Sequence, residues 1–162
     1  MYASNFSKHV TSSDARNSIP NNLTHLVVTQ NKILRAIFRI PKYDRINNVY
    51  NDTSLLYKNL DVLKLEDLYR YSLGLLIHNS IYSPSYPTRI KELFTLRTDI
   101  IDRNTRTNEM DLYYPTPKTM NTERKPSIAG SKLWNSLPEQ LKKIKSLHKF
   151  KTELKKYLTR NY

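Results

Sequence analysis

Apolar residues recur at intervals of three and four along much of this 162-residue chain, and prolines interrupt the pattern. Such spacing places apolar side chains on one face of an α-helix. Proline lacks a backbone donor and pushes the preceding residue out of the helical region, so helices should end ahead of prolines. The pattern therefore predicts a mainly α fold, a small bundle of amphipathic helices with one proline-flanked extended segment or short hairpin.

The same pattern divides the chain into four regions. Residues 1–22 are rich in Ser, Asn and Thr and lack apolar periodicity, so we predict a disordered N-terminal segment. Residues 23–96 should form a helical subdomain, followed by a linker with a short extended segment over residues 97–126. Residues 127–162 are predicted to be a basic C-terminal helical segment.

The first predicted helix covers residues 23–38 and ends ahead of Pro41. Successive helical residues are rotated by about 100°, so Lys32, Arg35 and Arg39 fall opposite the apolar face. These three cations form a basic stripe that we expect to be available to an anionic partner. A second, short helix is predicted over residues 53–60.

A long central helix is predicted from residue 65 to about residue 82, with a wide apolar arc that includes Leu68, Tyr69, Leu73 and Ile77. Glu66 and Arg70 are four residues apart and should form an exposed ion pair. The helix also has a narrow polar strip, made of Glu66, Asp67, Arg70, Gly74 and His78.

The linker contains the extended segment. Residues 112–114 have side chains typical of strands, but Pro115 and Pro117 cannot donate to a sheet, so an edge strand or hairpin arm is predicted. Tyr113 and Tyr114 are the tyrosines we favour for stacking on nucleic-acid bases, although a structural role is the more common one for tyrosine.

Charge is the strongest indication of a partner. The formal net charge is +13, which favours a polyanion, with nucleic acid first and an anionic membrane surface second. Beside the basic stripe, the predicted contacts to RNA or DNA backbone are the C-terminal cations Lys142, Lys143, Lys145, Lys149, Lys155, Lys156 and Arg160. Lysines that only keep a short amphipathic helix in solution would have the same pattern.

Several kinds of chemistry are unsupported by the sequence. Without cysteine there is no thiolate zinc site, and four scattered histidines do not suggest a metal, so no metal or cofactor is expected. Two glycines are too few for a phosphate-cradling loop. The acidic residues of the linker are interpreted as solvated charges. No signal peptide or membrane span is predicted, so an intracellular protein, cytoplasmic or nuclear, is expected.

One stretch resembles a known family. Residues 130–138 read Gly-Ser-Lys-Leu-Trp-Asn-Ser-Leu-Pro, and residues 147–151 read Leu-His-Lys-Phe-Lys. Both are similar to the C-terminal tail of the reverse transcriptase of LINE-type (non-LTR) retrotransposons. Three further segments occur in the order that the family has them: residues 30–35, residues 63–69, and residues 104–106 ahead of residues 113–115.

The resemblance implies a severed tail of an RNA-directed DNA polymerase. The family's catalytic Phe/Tyr-x-Asp-Asp motif lies upstream of the matching region and has no counterpart here, so the chain should not be an enzyme by itself. Its partners would be nucleic acid and the missing upstream polymerase domains. The residues that carry the match are interpreted as structural: Gly130, Trp134, Asn135, Leu137, Pro138 and Phe150. The alternative is an inert or partner-docking helical domain without a nucleic-acid role.

Overall fold

A computed structural model describes residues 23–100, 109–160 and 162, and this part contains eight α-helices and one two-stranded antiparallel sheet. The predicted mainly α fold is confirmed. The segment 1–22, predicted to be disordered, lies outside the described residues. The elements in chain order are α1 (Thr24–Phe38), β1 (Tyr43–Asp44), β2 (Val49–Tyr50), α2 (Ser54–Asn59), α3 (Leu65–Tyr82), α4 (Thr88–Lys91), α5 (Met120–Glu123), α6 (Pro126–Ser136), α7 (Glu139–Lys142) and α8 (Leu147–Thr159).

Helix α3 is the centre of the fold, as the sequence predicts, and α6 and α8 both pack against it. The shared core includes Leu73 and Ile77 of α3, Trp134 of α6 and Phe150 of α8. Gly130 permits the close approach of α6, because an added Cβ would lie 3.0 Å from Ile77 Cδ1 and from Phe94 Cε1. Small residues at such crossings let two helix backbones come together.

The predicted orientation of α3 is correct only in part. Leu73 and Ile77, both in the predicted apolar arc, are buried, but Leu68 and Tyr69 of the same arc are 47% and 53% exposed. Asp67, Gly74 and His78, three members of the polar strip, are also buried. Sequence periodicity predicts that a polar strip faces solvent, but here α8 and Tyr162 cover these three residues.

Each of these three buried residues has a specific neighbour, either in α8 or in Tyr162, which follows α8. The Tyr162 hydroxyl donates to Asp67 Oδ2 at 2.6 Å, and the His78 ring stacks on Phe150 with centroids 4.3 Å apart. Between them, a Cβ on Gly74 would lie 2.7 Å from Leu154 Cδ2. Asp67 also bonds Arg70 at 3.3 Å, in place of the predicted Glu66–Arg70 pair.

The predicted linker is partly a structural element. Leu112 is buried in the same core as Trp134 and forms an antiparallel bridge with Leu96. Its backbone N–H and C=O are both bonded by the Asn135 side chain, at 2.8 and 2.9 Å. Residues on both sides of the predicted linker thus share one core.

A second, smaller cluster joins α1 to α2 and contains Leu34, Leu56 and Tyr57. Tyr57 is buried, and its hydroxyl donates to Asn31 Oδ1 at 2.8 Å. The observed hairpin β1–β2 follows α1 and is distant in sequence from the proline-flanked segment, where an edge strand or hairpin arm was predicted. In that proline-flanked segment, Leu112 makes only an isolated bridge.

His78 makes the stability of this fold depend on pH. Its Nε2–H donates to the Ile144 carbonyl at 2.7 Å, and its Nδ1 is buried with no partner among the described residues. Burial lowers the pKa of His78, and the bond to Ile144 only partly opposes this. Histidine in the unfolded chain titrates near about pH 6.5, so the unfolded state takes up the proton first as the pH falls.

We therefore expect the free energy of unfolding to be greatest above about pH 6.5 and to decrease as the pH falls below it. Urea titrations between about pH 7 and pH 5.5, above the usual range of carboxyl titration, measure this. The His78→Gln variant should lose most of the dependence, and variant His148→Gln, at an exposed histidine, should keep it. An unchanged dependence in His78→Gln would contradict the assignment.

Candidate nucleic-acid interface

The predicted basic stripe of α1 lies along an open groove of about 520 Å³. Lys32, Arg35 and Arg39 all line it, and Lys42, just beyond Pro41, completes the set. The remaining lining residues are Ala36, Ile40 and Pro41. None of the four cations forms an ion pair with a residue of the described ranges. The groove therefore collects positive charge without an internal counterion.

Arg35 is the cation that joins this groove to the hairpin. Its Nη2 donates to the Asn51 carbonyl at 3.2 Å, while its Nε is buried and has no partner among the described residues. Asn51 in turn donates from its backbone N–H to the Lys42 carbonyl at 3.1 Å and from Nδ2 to the Pro41 carbonyl at 2.8 Å. Arg35 and Asn51 thus connect the hairpin to α1 and to Pro41, whereas Lys32, Arg39 and Lys42 are exposed to solvent.

Arg39 occupies a backbone conformation that usually selects glycine. Helix α1 ends with the Ile40 N–H donating to the Arg35 carbonyl and the Arg39 N–H donating to the Ala36 carbonyl, at 2.9 and 3.2 Å. These two bonds form the Schellman motif, whose left-handed residue is most often glycine. Arg39 is that residue, with φ of 54°. A cation therefore stands at the end of the groove at a conformational cost of about 1 kcal/mol or more.

The sequence did not indicate Lys42 or the two hairpin tyrosines beside it. Lys42 follows the proline that ends α1, so helical periodicity assigns it to no face. Tyr43 and Tyr50 flank a turn in which Asp44 Oδ1 accepts from the N–H groups of Ile46 and Asn47. An aspartate bonding backbone two or three residues ahead is a turn signal, and it would have located the hairpin.

The C-terminal cations are distributed differently. Lys143 pairs with Glu139, Lys155 with Asp61 and Lys156 with Glu153. Lys145, Lys149 and Arg160 are exposed and make no ion pair with a described residue. Of these six predicted cations, three therefore have a carboxylate partner and three do not.

Lys142 does not belong to the surface set, and its predicted contact to nucleic acid is wrong. Its side chain is 0% exposed, with Nζ 2.8 Å from Asp111 Oδ1 and 3.0 Å from the Asn135 carbonyl oxygen. The short helix α7 turns it inward, beneath residues that the sequence assigned to a linker. Asp111, predicted to be a solvated loop charge, is its counterion.

The residues that carry the family resemblance are mostly interior. Trp134 is fully buried, with Nε1–H donating to the Met110 carbonyl at 2.9 Å. Leu137 and Phe150 belong to the same core, and Pro138 lies directly ahead of α7. With Gly130 at the α3–α6 crossing and Asn135 bonded to Leu112, these contacts support the structural role predicted for them.

The described ranges contain no cluster of three or more histidine and acidic residues placed to hold a metal ion. No helix in them has the length and apolar character needed to cross a membrane. Of the stacking candidates in the proline-flanked segment, Tyr113 is 40% exposed and Tyr114 is half-buried.

Comparisons with known proteins add no relative: no family model, curated protein or solved structure matches the chain.

Breaking the buried ion pair should be costly. Removing Lys142 by Lys142→Ala leaves Asp111 without its counterion beneath α7, and loss of one partner of a buried pair costs about 3 to 5 kcal/mol. Lys143→Ala is the matched control, because the neighbouring lysine is exposed and pairs only at the surface. Urea unfolding should show a large loss for the first and little change for the second. Equal effects would refute the interior role of Lys142.

The Arg39 conformation gives an independent prediction. Arg39→Gly should raise the free energy of unfolding by about 1 kcal/mol relative to Arg39→Ala, because only glycine relieves the left-handed backbone. Both variants remove the same charge, so their difference isolates the backbone. Thermal unfolding of the two proteins side by side measures it, and equal midpoints would argue against the assigned conformation.

Proposed function

We propose that this chain is a non-catalytic module that binds the phosphate backbone of RNA or DNA, without sequence specificity, through the α1 groove. The observation that carries the proposal is the convergence of Lys32, Arg35, Arg39 and Lys42 on one open surface with no acidic residue paired to them. A polyanion that lies along the groove would neutralise this charge and release counterions.

The contrast with the C-terminal helices supports the α1 groove as the main contact. Lys143, Lys155 and Lys156 already have carboxylate partners, so a phosphate would have to displace them. Arg39 retains a cation where glycine would cost less conformational energy. Retained backbone strain is typical of functional positions.

We also propose that the chain corresponds to the C-terminal region of the reverse transcriptase of a non-LTR retrotransposon. Support comes from the Gly130–Pro138 motif and from Phe150, which together build the α6–α8 core. Such a core would let the tail keep its fold apart from the upstream polymerase domains. The proposed place of action is the cytoplasm or nucleus, where RNA and DNA occur.

A second candidate function is docking to a protein partner. Leu26, Ile33 and Ile37 are 42%, 54% and 60% exposed and lie on one side of α1, seven and four residues apart. Exposed apolar side chains in a row mark contact surfaces. The missing polymerase domains would be the partner in this case.

Two triple variants test the binding proposal. The groove variant carries Lys32→Gln, Arg39→Gln and Lys42→Gln, and the comparison variant carries Lys145→Gln, Lys149→Gln and Arg160→Gln. Each removes three positive charges, and Arg35 is retained because it holds the hairpin. Affinity for a single-stranded oligonucleotide is measured by fluorescence anisotropy across a salt series.

We expect the groove variant to bind about tenfold or more weakly, and its log–log salt slope to shrink by about 2, since each contact to a single strand contributes about 0.7. The comparison variant should change much less. Equal losses would mean that only total charge matters, and a larger loss in the comparison variant would place the contact on α8. Absence of measurable binding by the unaltered chain would leave docking as the better function.

A further inference from the structure

We propose that Tyr43 and Tyr50 form a stacking platform that gives the groove a preference for single-stranded over duplex nucleic acid. This inference rests on the proposed binding function and specifies its ligand. The two residues are cross-strand partners in the β1–β2 hairpin. Neither belongs to the buried clusters of the described residues.

The two rings are presented to solvent. Tyr43 is 36% exposed and Tyr50 is 70% exposed. Their centroids are 5.1 Å apart and their planes are inclined by 61°, an edge-to-face arrangement. One tyrosine supports the other by its edge in such a pair, so the contact stabilises the hairpin while ring surface remains uncovered.

Tyr43 is held in place by the turn. Its hydroxyl donates to Asn48 Oδ1, and Asn48 has the left-handed backbone, with φ of 55°, that asparagine tolerates better than most residues. Tyr43 is therefore a fixed support, and the more exposed Tyr50 is the ring that we assign to base stacking. A ring that is already oriented loses little conformational entropy on binding.

The platform is attached to the cationic groove at the base of the hairpin. Lys42 of the groove is followed directly by Tyr43, and Tyr50 is followed directly by Asn51. The Asn51 carbonyl accepts a hydrogen bond from the Arg35 guanidinium, and Asn51 donates to the backbone carbonyls of Pro41 and Lys42. The hairpin that carries the rings is thus bonded at its base to residues that line the groove. Cations together with aromatic rings are the combination by which single strands are bound.

Stacking provides the selectivity that cations lack. Phosphates are present in both single strands and duplexes, so the groove alone would bind either. The faces of the bases are covered by their neighbours in a duplex and become accessible in a flexible single strand. Each base–aromatic stack contributes to single-strand affinity with little dependence on base identity.

The test compares Tyr50 variants on single strands and on a duplex. The probes are labelled uridine and thymidine oligomers and a duplex of equal length, at one fixed salt concentration. Tyr50→Ala should weaken binding to the single strands about 5- to 100-fold and change duplex binding by less than about twofold. Tyr50→Phe should bind like the unaltered chain, since the ring is retained. Comparing the uridine and thymidine oligomers reports whether RNA or DNA is preferred.

Two further variants keep the result interpretable. Tyr50→Val retains a good strand residue without a ring, so a loss shared by Val and Ala comes from stacking and not from an unfolded hairpin. Tyr113→Ala alters a tyrosine of similar exposure to Tyr43 and should have no effect; a loss there instead would move the platform to the proline-flanked segment and overturn the assignment.

The inference fails on its own if the groove triple variant loses affinity while Tyr50→Ala and Tyr50→Val do not, or if those two weaken single strands and duplex equally. If the unaltered chain binds none of the probes, the proposed function and this inference both fail.

Discussion

The contact between α3 and α8 is the interaction on which the rest of the fold depends. Gly74 has no side chain, so Leu154 fits against the α3 backbone, while His78 stacks on Phe150 at one end and Asp67 bonds Tyr162 at the other. The ring of Tyr162 also packs edge-to-face on Tyr57, with centroids 6.0 Å apart. Helix α8 consequently closes the main core, and Tyr162, which follows the helix, packs against the smaller α1–α2 cluster.

Acidic residues determine which of the many cations remain available. Asp111 holds Lys142 inside the fold, and Asp61 and Glu153 offset two lysines of α8. No described carboxylate does this along the groove beside α1. The net charge of +13 is therefore not distributed evenly over the surface. Because the carboxylates lie elsewhere, the α1 groove is more available to anions than the other basic surfaces.

Helix positions could be predicted from the sequence, but the buried face of α3 could be predicted only in part. Periodicity and Pro41 located α1, and the same reasoning located α2 and α3, because spacing and chain breaks are local properties. Leu73 and Ile77 were correctly predicted to lie on the apolar side of α3. The polar strip was wrong because a glycine, an aspartate and a histidine look polar until α8 supplies a leucine and a phenylalanine and Tyr162 supplies a hydroxyl. Residues far apart in sequence make those contacts.

In the candidate site, too, features set by local sequence could be predicted, and features set by contacts between distant residues could not. Lys32, Arg35 and Arg39 share a helix, so their common side could be predicted from residue spacing, whereas Lys42 joins them only through the turn after Pro41. Lys142 looked like its lysine neighbours until Asp111, 31 residues away, was brought beneath it. The hairpin tyrosines were missed because two-residue strands are too short to show an alternating pattern.

The way α1 is attached has a consequence for the lifetime of the groove. Leu34 is the only fully buried residue of this helix, and polar bonds such as Gln30 to the Leu63 carbonyl complete its anchorage. Segments that bury little apolar surface open in sub-global fluctuations, well before the whole molecule unfolds. We therefore expect the main core and the proposed binding surface to be separable, so that a molecule can retain its α3–α8 packing while the surface that gathers the cations is transiently open.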